Sequence, residues 1–217
     1  IVISNIPLWN MPDITDGEMR DYFKKESAKY SDAWGAFTMG IALSDTLAEE
    51  LSLHHQFHLP EGHPYSEWIA RSFFVSISMR GDTQRAPEGQ RVLNVSTHCS
   101  PEKWLELDQD SYEIKKLEVQ EYLFEQVKQR LPGADRAECL QVDAATPRTW
   151  EKWVYRKDGR VGGIPQSMKR AVWDWTSPVT PFKGLYLVGD TTYPGQGIPG
   201  VTLSGINVYY RIVKDFK

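Results

Sequence analysis

Residues 184–212 read GLYLVGDTTYPGQGIPGVTLSGINVYYRI, and the rest of the chain is understood outward from them. Leu185 to Val188 form a short apolar run of the kind that makes a strand buried on both faces. The run ends in Gly189-Asp190. A glycine-rich loop follows, and a helix is predicted from about Ile198 to Val213. Gly195, Gly197 and Gly200 spell G-x-G-x-x-G, the spacing of a dinucleotide fingerprint. That fingerprint needs a βαβ unit of about thirty residues and an acidic residue about twenty positions on. The final helix uses the remaining residues up to Lys217, so no second strand can follow and this use of the motif is excluded. The physics beneath it survives. Glycine lets backbone approach a ligand closely, and a helix N-terminus presents unpaired N–H groups with a partial positive charge. An electron-rich group, such as a phosphate or a ring carbonyl, suits that position. Asp190, at the carboxyl end of the strand, is placed to accept hydrogen bonds from ligand hydroxyls. On spacing alone an equal alternative stands: Asp190 caps a turn and the glycines only tighten it.

The composition is that of an ordinary globular domain, with 41% hydrophobic and 25% charged residues in a chain of 217. The net charge of −4 argues against a nucleic-acid partner, because phosphate binding needs a basic surface. No apolar run approaches the roughly eighteen residues of a membrane span. Residue 1 opens a strand-like IVISN rather than a signal peptide, and without an initiator Met the chain reads as an excised portion. Cys99 and Cys139 have neither metal nor redox spacing and read as reduced, buried, small apolar residues, which points to a cytoplasmic setting. Asn94-Val95-Ser96 matches a glycosylation acceptor by chance, inside a strand.

The remaining pattern predicts an α+β fold, mostly an antiparallel sheet with flanking helices. A short buried strand is predicted for IVISN, further strands for 34–45, for 71–79 and for 91–99, and another from Ala137 to Val142. Within 71–79, Phe73, Val75, Ile77 and Met79 share one face. Thr15-Asp16-Gly17-Glu18 offers a capping box to a helix with Met19, Tyr22 and Phe23 on its apolar side. The strongest helix signal runs from about Asp110 to Leu131, with Asp110 and Glu113 at its start and Ile114, Leu117, Phe124, Val127 and Leu131 recurring along it. Pro132-Gly133 ends it. Pro147 opens another helix, and GRVGGIPQ (159–166) is irregular.

The terminal segment resembles the C-terminal flavin-binding signature of the phytoene desaturase, carotenoid isomerase and retinol saturase group, FAD-dependent oxidoreductases related to the amine oxidases. The residues that carry it are Gly189-Asp190, Pro194-Gly195-Gln196-Gly197 and Ser204-Gly205. The resemblance implies that Asp190 holds the ribityl or pyrophosphate part of FAD. It implies too that backbone N–H groups around Ile198, Gly200 and Val201 face the flavin ring. Val2-Ile3-Ser4-Asn5 resembles the strand at which such enzymes leave the FAD domain. Thr146-Pro147 followed by Gly162-Gly163 resembles the linker before their last flavin segment. The implied organisation is an FAD-domain strand at 1–5, a substrate domain at 6–183 and a C-terminal FAD-binding segment at 184–217. The family's own N-terminal G-x-G-x-x-G is absent, so the chain reads as a fragment of a larger two-domain flavoprotein whose missing N-terminal FAD-binding half is its partner. Alone it is expected to hold FAD poorly. The implied substrate is a hydrophobic polyene of carotenoid or retinoid type, desaturated, saturated or isomerised, and a peripheral membrane contact is compatible with it. The alternatives are a non-catalytic lipid- or protein-binding module of the same ancestry and an FAD-dependent amine oxidase.

Other candidates carry less. His54, His55, His58 and His63 lie within one short stretch, but no i,i+4 pair sits on a clear helix, and they read as surface histidines rather than metal ligands. His98 beside Cys99 lacks an orienting third group. The eight tryptophans read first as core and interface residues. No general base can be named.

Overall fold

A computed structural model describes residues 1–166, 168 and 170–217. The chain divides into two compact units: the continuous segment Gly35–Val154, and Ile1–Trp34 taken together with Tyr155–Lys217. The second unit opens with β1 (Val2–Ser4), a 3-10 turn at Leu8–Asp13, and α1 (Gly17–Ala28). The continuous unit then supplies β2 (Gly35–Ser44), β3 (His54–His58), β4 (Ser72–Ile77), β5 (Gln90–Cys99), α2 (Pro101–Glu106), α3 (Gln109–Arg130), β6 (Cys139–Ala145) and α4 (Pro147–Val154). The chain finishes with β7 (Leu185–Leu187) and α5 (Ile198–Asp215).

The continuous unit is a five-stranded antiparallel sheet in the order β3-β4-β5-β2-β6, with helices against it, so the expected α+β class holds. Strict alternation builds it. In β2 the side chains of Phe37, Met39, Ile41 and Leu43 are buried, while Thr38, Gly40 and Ala42 turn the other way. The register, Gly35 opposite Cys99 and Ser44 opposite Gln90, brings Leu93 and Val95 onto the same inner face. Phe73, Val75 and Ile77 of β4 join them, as read from sequence, whereas Met79 lies beyond the strand and is exposed. Into this face pack Trp104 of α2 and Tyr112, Val119, Leu123 and Val127 of α3. One charge is buried there: Arg91 donates to the Ser78 carbonyl at 2.8 Å and faces Asp45 at 3.5 Å.

Several local expectations are corrected. Ile114 and Leu117 are exposed, because at about 100° per residue they point away from Tyr112, Val119 and Leu123. The α3 cap is Asp108, which accepts from the Ser111 N–H at 2.9 Å and from its hydroxyl at 2.7 Å; Glu113 accepts from Gln109 instead. Those bonds hold the Asp108 carboxyl below the usual range. No capping box forms at α1: Asp16 is the N-cap without a side-chain bond, and Thr15 donates to the Met11 carbonyl. The β6 strand begins two residues later than predicted, and Cys139 at its start is exposed, unlike Cys99. Val2 and Ile3 of β1 are exposed rather than buried.

In the discontinuous unit, β1 and β7 pair in parallel, Val2 opposite Leu185 and Ser4 opposite Leu187. Leu8, Trp9, Met11, Phe23, Tyr30, Ile164 and Leu187 form a separate core. Among the described residues no helix is long and apolar enough to cross a membrane.

Candidate functional site

Parallel strands place ligand sites at their carboxyl ends, and the discontinuous unit follows that rule. Asn5 leaves β1, and Gly189 and Asp190 leave β7. Between these ends and α5 lies an open groove of about 530 Å³, lined by Asn5, Val161, Val188, Gly189, Asp190, Gln196, Gly197, Val201 and Gly205.

Four of the expected residues thus line one groove: Gly189, Asp190, Gly197 and Val201. The loop between them is shaped by glycine. Gly189, Gly195 and Gly197 have φ of 109°, 101° and 84°, a region closed to most side chains. Pro194, Gly195, Ile198 and Gly200 lie outside the lining. Pro194 follows a cis peptide bond. Gly195 packs on the Trp175 ring, where a Cβ would stand 3.0 Å away. Gly200 packs on the preceding loop, where a Cβ would stand 2.6 Å from the Gly195 carbonyl oxygen. The helix opens at Ile198 with Pro199 in its first turn. Val201 donates its N–H to the Gly197 carbonyl at 2.9 Å, so the main-chain donors of that turn left without a helical partner belong to Ile198 and Gly200.

The strand end is pinned to the helix by hydroxyls. Gly189 donates its N–H to Ser204 Oγ at 3.1 Å, the Thr192 and Ser204 hydroxyls lie 2.8 Å apart, and Thr192 donates to the Gly189 carbonyl at 3.1 Å. Both side chains are fully buried, and these bonds satisfy them. At its far end α5 is tied to β7 by Tyr186, which donates to Asp215 at 2.8 Å. That bond, with the Arg211 contact, holds the Asp215 carboxyl below the usual range, and desolvation followed by Asp215 pushes the Tyr186 phenol up.

Asp190 does not stand alone. Arg156 donates to both its carboxylate oxygens, at 2.7 and 3.4 Å. Sequence reading missed this partner, because 34 residues separate the two and nothing local marks the pairing. It also missed Asn5, Val161, Val188, Gln196 and Gly205 as lining residues. Asn5 had a signal in its position just after a parallel strand.

The other candidates do not assemble. Among the described residues no group of three or more His, Cys, Asp or Glu is placed to hold a metal. His54 bonds Ser76 and His55 bonds the Ser52 carbonyl, while His63 is buried rather than on the surface. Burial pushes the Cys99 thiol up, far from a reactive thiolate.

No protein-family model matches the chain. Over 223 residues, 99% of the chain, it is 30% identical to the chloroplastic prolycopene isomerase of Daucus carota. It is 29% identical to the Arabidopsis thaliana prolycopene isomerase over 99% of the chain, and 25% identical to a Fusarium fujikuroi phytoene desaturase over 81%. The chain is thus similar over most of its length to carotenoid isomerases and desaturases. It spans 35%, 36% and 32% of these three relatives' own lengths, about a third in each case.

Proposed function

We propose that residues 1–217 are the C-terminal part of an FAD-dependent oxidoreductase that desaturates, saturates or isomerises a carotenoid- or retinoid-like polyene. Residues 1–5 and 184–217 would complete its FAD-binding domain, and residues 6–183 would belong to its substrate domain. The observation that carries the reading is the convergence of Asp190, Gly197 and Val201 on one groove at the carboxyl ends of two parallel strands. Similarity to prolycopene isomerases and phytoene desaturases supports the polyene, and their length supports a longer parent that supplies the other half of the flavin site.

The residues present fit a flavin. A loop with three positive-φ glycines offers bare backbone to a flat ring. Asp190 would accept hydrogen bonds from the ligand's hydroxyls. The Ile198 and Gly200 N–H groups, with the positive end of α5, would favour an electron-rich ring edge. Two-electron exchange with an extended polyene is the chemistry a bound flavin supplies. The chain's own residues contribute binding and orientation.

The test is the visible spectrum of the full-length gene product. Flavin absorption is expected in the purified protein, and its loss in Asp190→Ala. A colourless full-length protein that takes up no added FAD would refute the proposal.

A further inference from the structure

We infer that Arg156 is a positioning residue of the ligand groove, acting through Asp190, and that it sets flavin affinity without touching the flavin. The inference rests on the flavin reading and adds to it a residue outside the terminal motif.

The geometry is specific. Asp190 lines the groove and Arg156 does not. The Arg156 guanidinium meets the carboxylate as a fork, 2.7 Å to one oxygen and 3.4 Å to the other, and its Nε–H donates to the Arg160 carbonyl at 2.8 Å. Both side chains of the pair are more than four-fifths buried, at 17% and 19% exposure. A fork of this kind fixes the plane of the carboxylate as well as balancing its charge. An ionised carboxylate has about four acceptor positions, and the arginine occupies two. The other two stay open for hydroxyl donors.

The same strap of chain also grips the main chain of residue 190. Ile164 donates its N–H to the Asp190 carbonyl at 3.3 Å. Gly163, at φ of 64°, lies so close that a Cβ there would stand 2.4 Å from that carbonyl oxygen. The strap is itself anchored within its unit. Asn10 donates to the Tyr155 carbonyl at 2.8 Å and accepts from the Lys157 N–H at 3.1 Å. Val161 donates to the Trp34 carbonyl at 3.2 Å. Residue 190 is therefore held at its carboxylate by Arg156 and at its carbonyl by Ile164, and the rotation of its side chain is set before any ligand arrives. Preorganisation of this sort adds affinity by removing an ordering cost.

The experiment is a double-mutant cycle on FAD affinity in the full-length gene product, with R156M, D190N and the double variant titrated by flavin fluorescence. Apo melting temperatures are recorded alongside to confirm folding. R156M is expected to weaken FAD binding about ten- to a hundredfold, the range for loss of a charged hydrogen-bond partner. In the D190N background the same change is expected to cost less than about threefold, because the amide keeps one acceptor for the guanidinium but the charged two-point grip is already lost. Equal losses in both backgrounds would overturn the inference, since Arg156 would then act on the ligand or on the strap. Wild-type affinity in R156M would overturn it as well. If R156M does not fold, R156K carries the same cycle, retaining the charge without the fork. Loss of FAD in D190N with none in R156M would leave the flavin reading standing and remove the arginine from it. A wild-type protein that takes up no FAD would remove both.

Discussion

Two glycines of α5 should respond to alanine with opposite signs. In a helix, Ala is favoured over Gly by about 1 kcal/mol because it loses less backbone entropy. Gly205 meets that expectation: a Cβ built there finds nothing within 4 Å. Gly205→Ala should therefore stabilise the chain by about 0.5–1 kcal/mol. Gly200 sits in the first turn of the same helix, where a Cβ would stand 2.6 Å from the Gly195 carbonyl oxygen and 3.1 Å from its carbon. Comfortable carbon contacts begin at about 3.5 Å. Both neighbours are backbone and cannot rotate aside, so either the 195–197 loop or the helix start must shift. Overpacking of this kind costs about 1–3 kcal/mol. A backbone contact as short as 2.6 Å belongs in the upper part of that range, about 2–3 kcal/mol, so subtracting the propensity gain of about 1 kcal/mol leaves Gly200→Ala destabilising by about 1–2 kcal/mol. For a chain of this size that is a fall in melting temperature of about 2–8 °C, against a rise of about 1–4 °C for Gly205→Ala. Thermal unfolding of the two variants beside the parent, with urea titration as a second measure, decides the matter. A Gly200→Ala chain that melts at or above the parent would refute the close approach of loop and helix.

Other expectations follow from the core and the titratable groups. Leu123→Ala, at a fully buried site, should cost about 2–5 kcal/mol in urea unfolding with an unchanged slope, whereas Leu117→Ala, 52% exposed, should stay within about 0.5 kcal/mol; equal effects would mean that α3 presents a different face to the sheet. His63 is buried with neither ring nitrogen hydrogen-bonded, and desolvation lowers its pKa. The folded state therefore holds this ring neutral while the unfolded state takes up a proton below about pH 6.5, so stability is lost as pH falls through that value. A His63→Phe chain should show a flatter stability profile between about pH 7 and 5, and an unchanged slope would count against the assignment. With a thiol reagent at mildly alkaline pH, Cys139 should react first and Cys99 only after unfolding, because Cys99 is buried with its thiol pushed up; early loss of both thiols would contradict the register that buries Cys99.

The sheet was legible because alternation is a strong local signal. The stretches at 35–44, 72–77 and 90–99 each put every second side chain inward, and the strand boundaries fell within a residue or two of the pattern. The α3 face was misread because Ile114 and Leu117 are apolar yet point to solvent, and residue type alone cannot say which of two apolar arcs faces the sheet. Asp108 was missed as a cap because three capping residue types, Asp108, Asp110 and Ser111, crowd the helix start, and only the backbone angles choose between them. At the groove, the loop glycines and Asp190 stood in one contiguous segment and could be read together. Arg156, Gly163 and Asn5 reach Asp190 and Gly189 from distant parts of the chain, and no spacing rule links them. Gly162-Gly163 was visible as a doublet, but its reason lies in the fold. A Cβ on Gly162 would enter the Trp34 ring, and one on Gly163 would strike the Asp190 carbonyl.

The parallel pairing of β1 with β7 has a consequence for the order in which the chain can fold. Val2 can meet Leu185 only after all of Gly35–Val154 has been made between them. Gly35–Val154 needs no such delay, since every strand of its sheet finds its neighbours within that stretch. The sheet of Gly35–Val154 is thus expected to be finished before β1 and β7 can pair. A premature stop before residue 185 should still leave Gly35–Val154 as a protease-resistant piece.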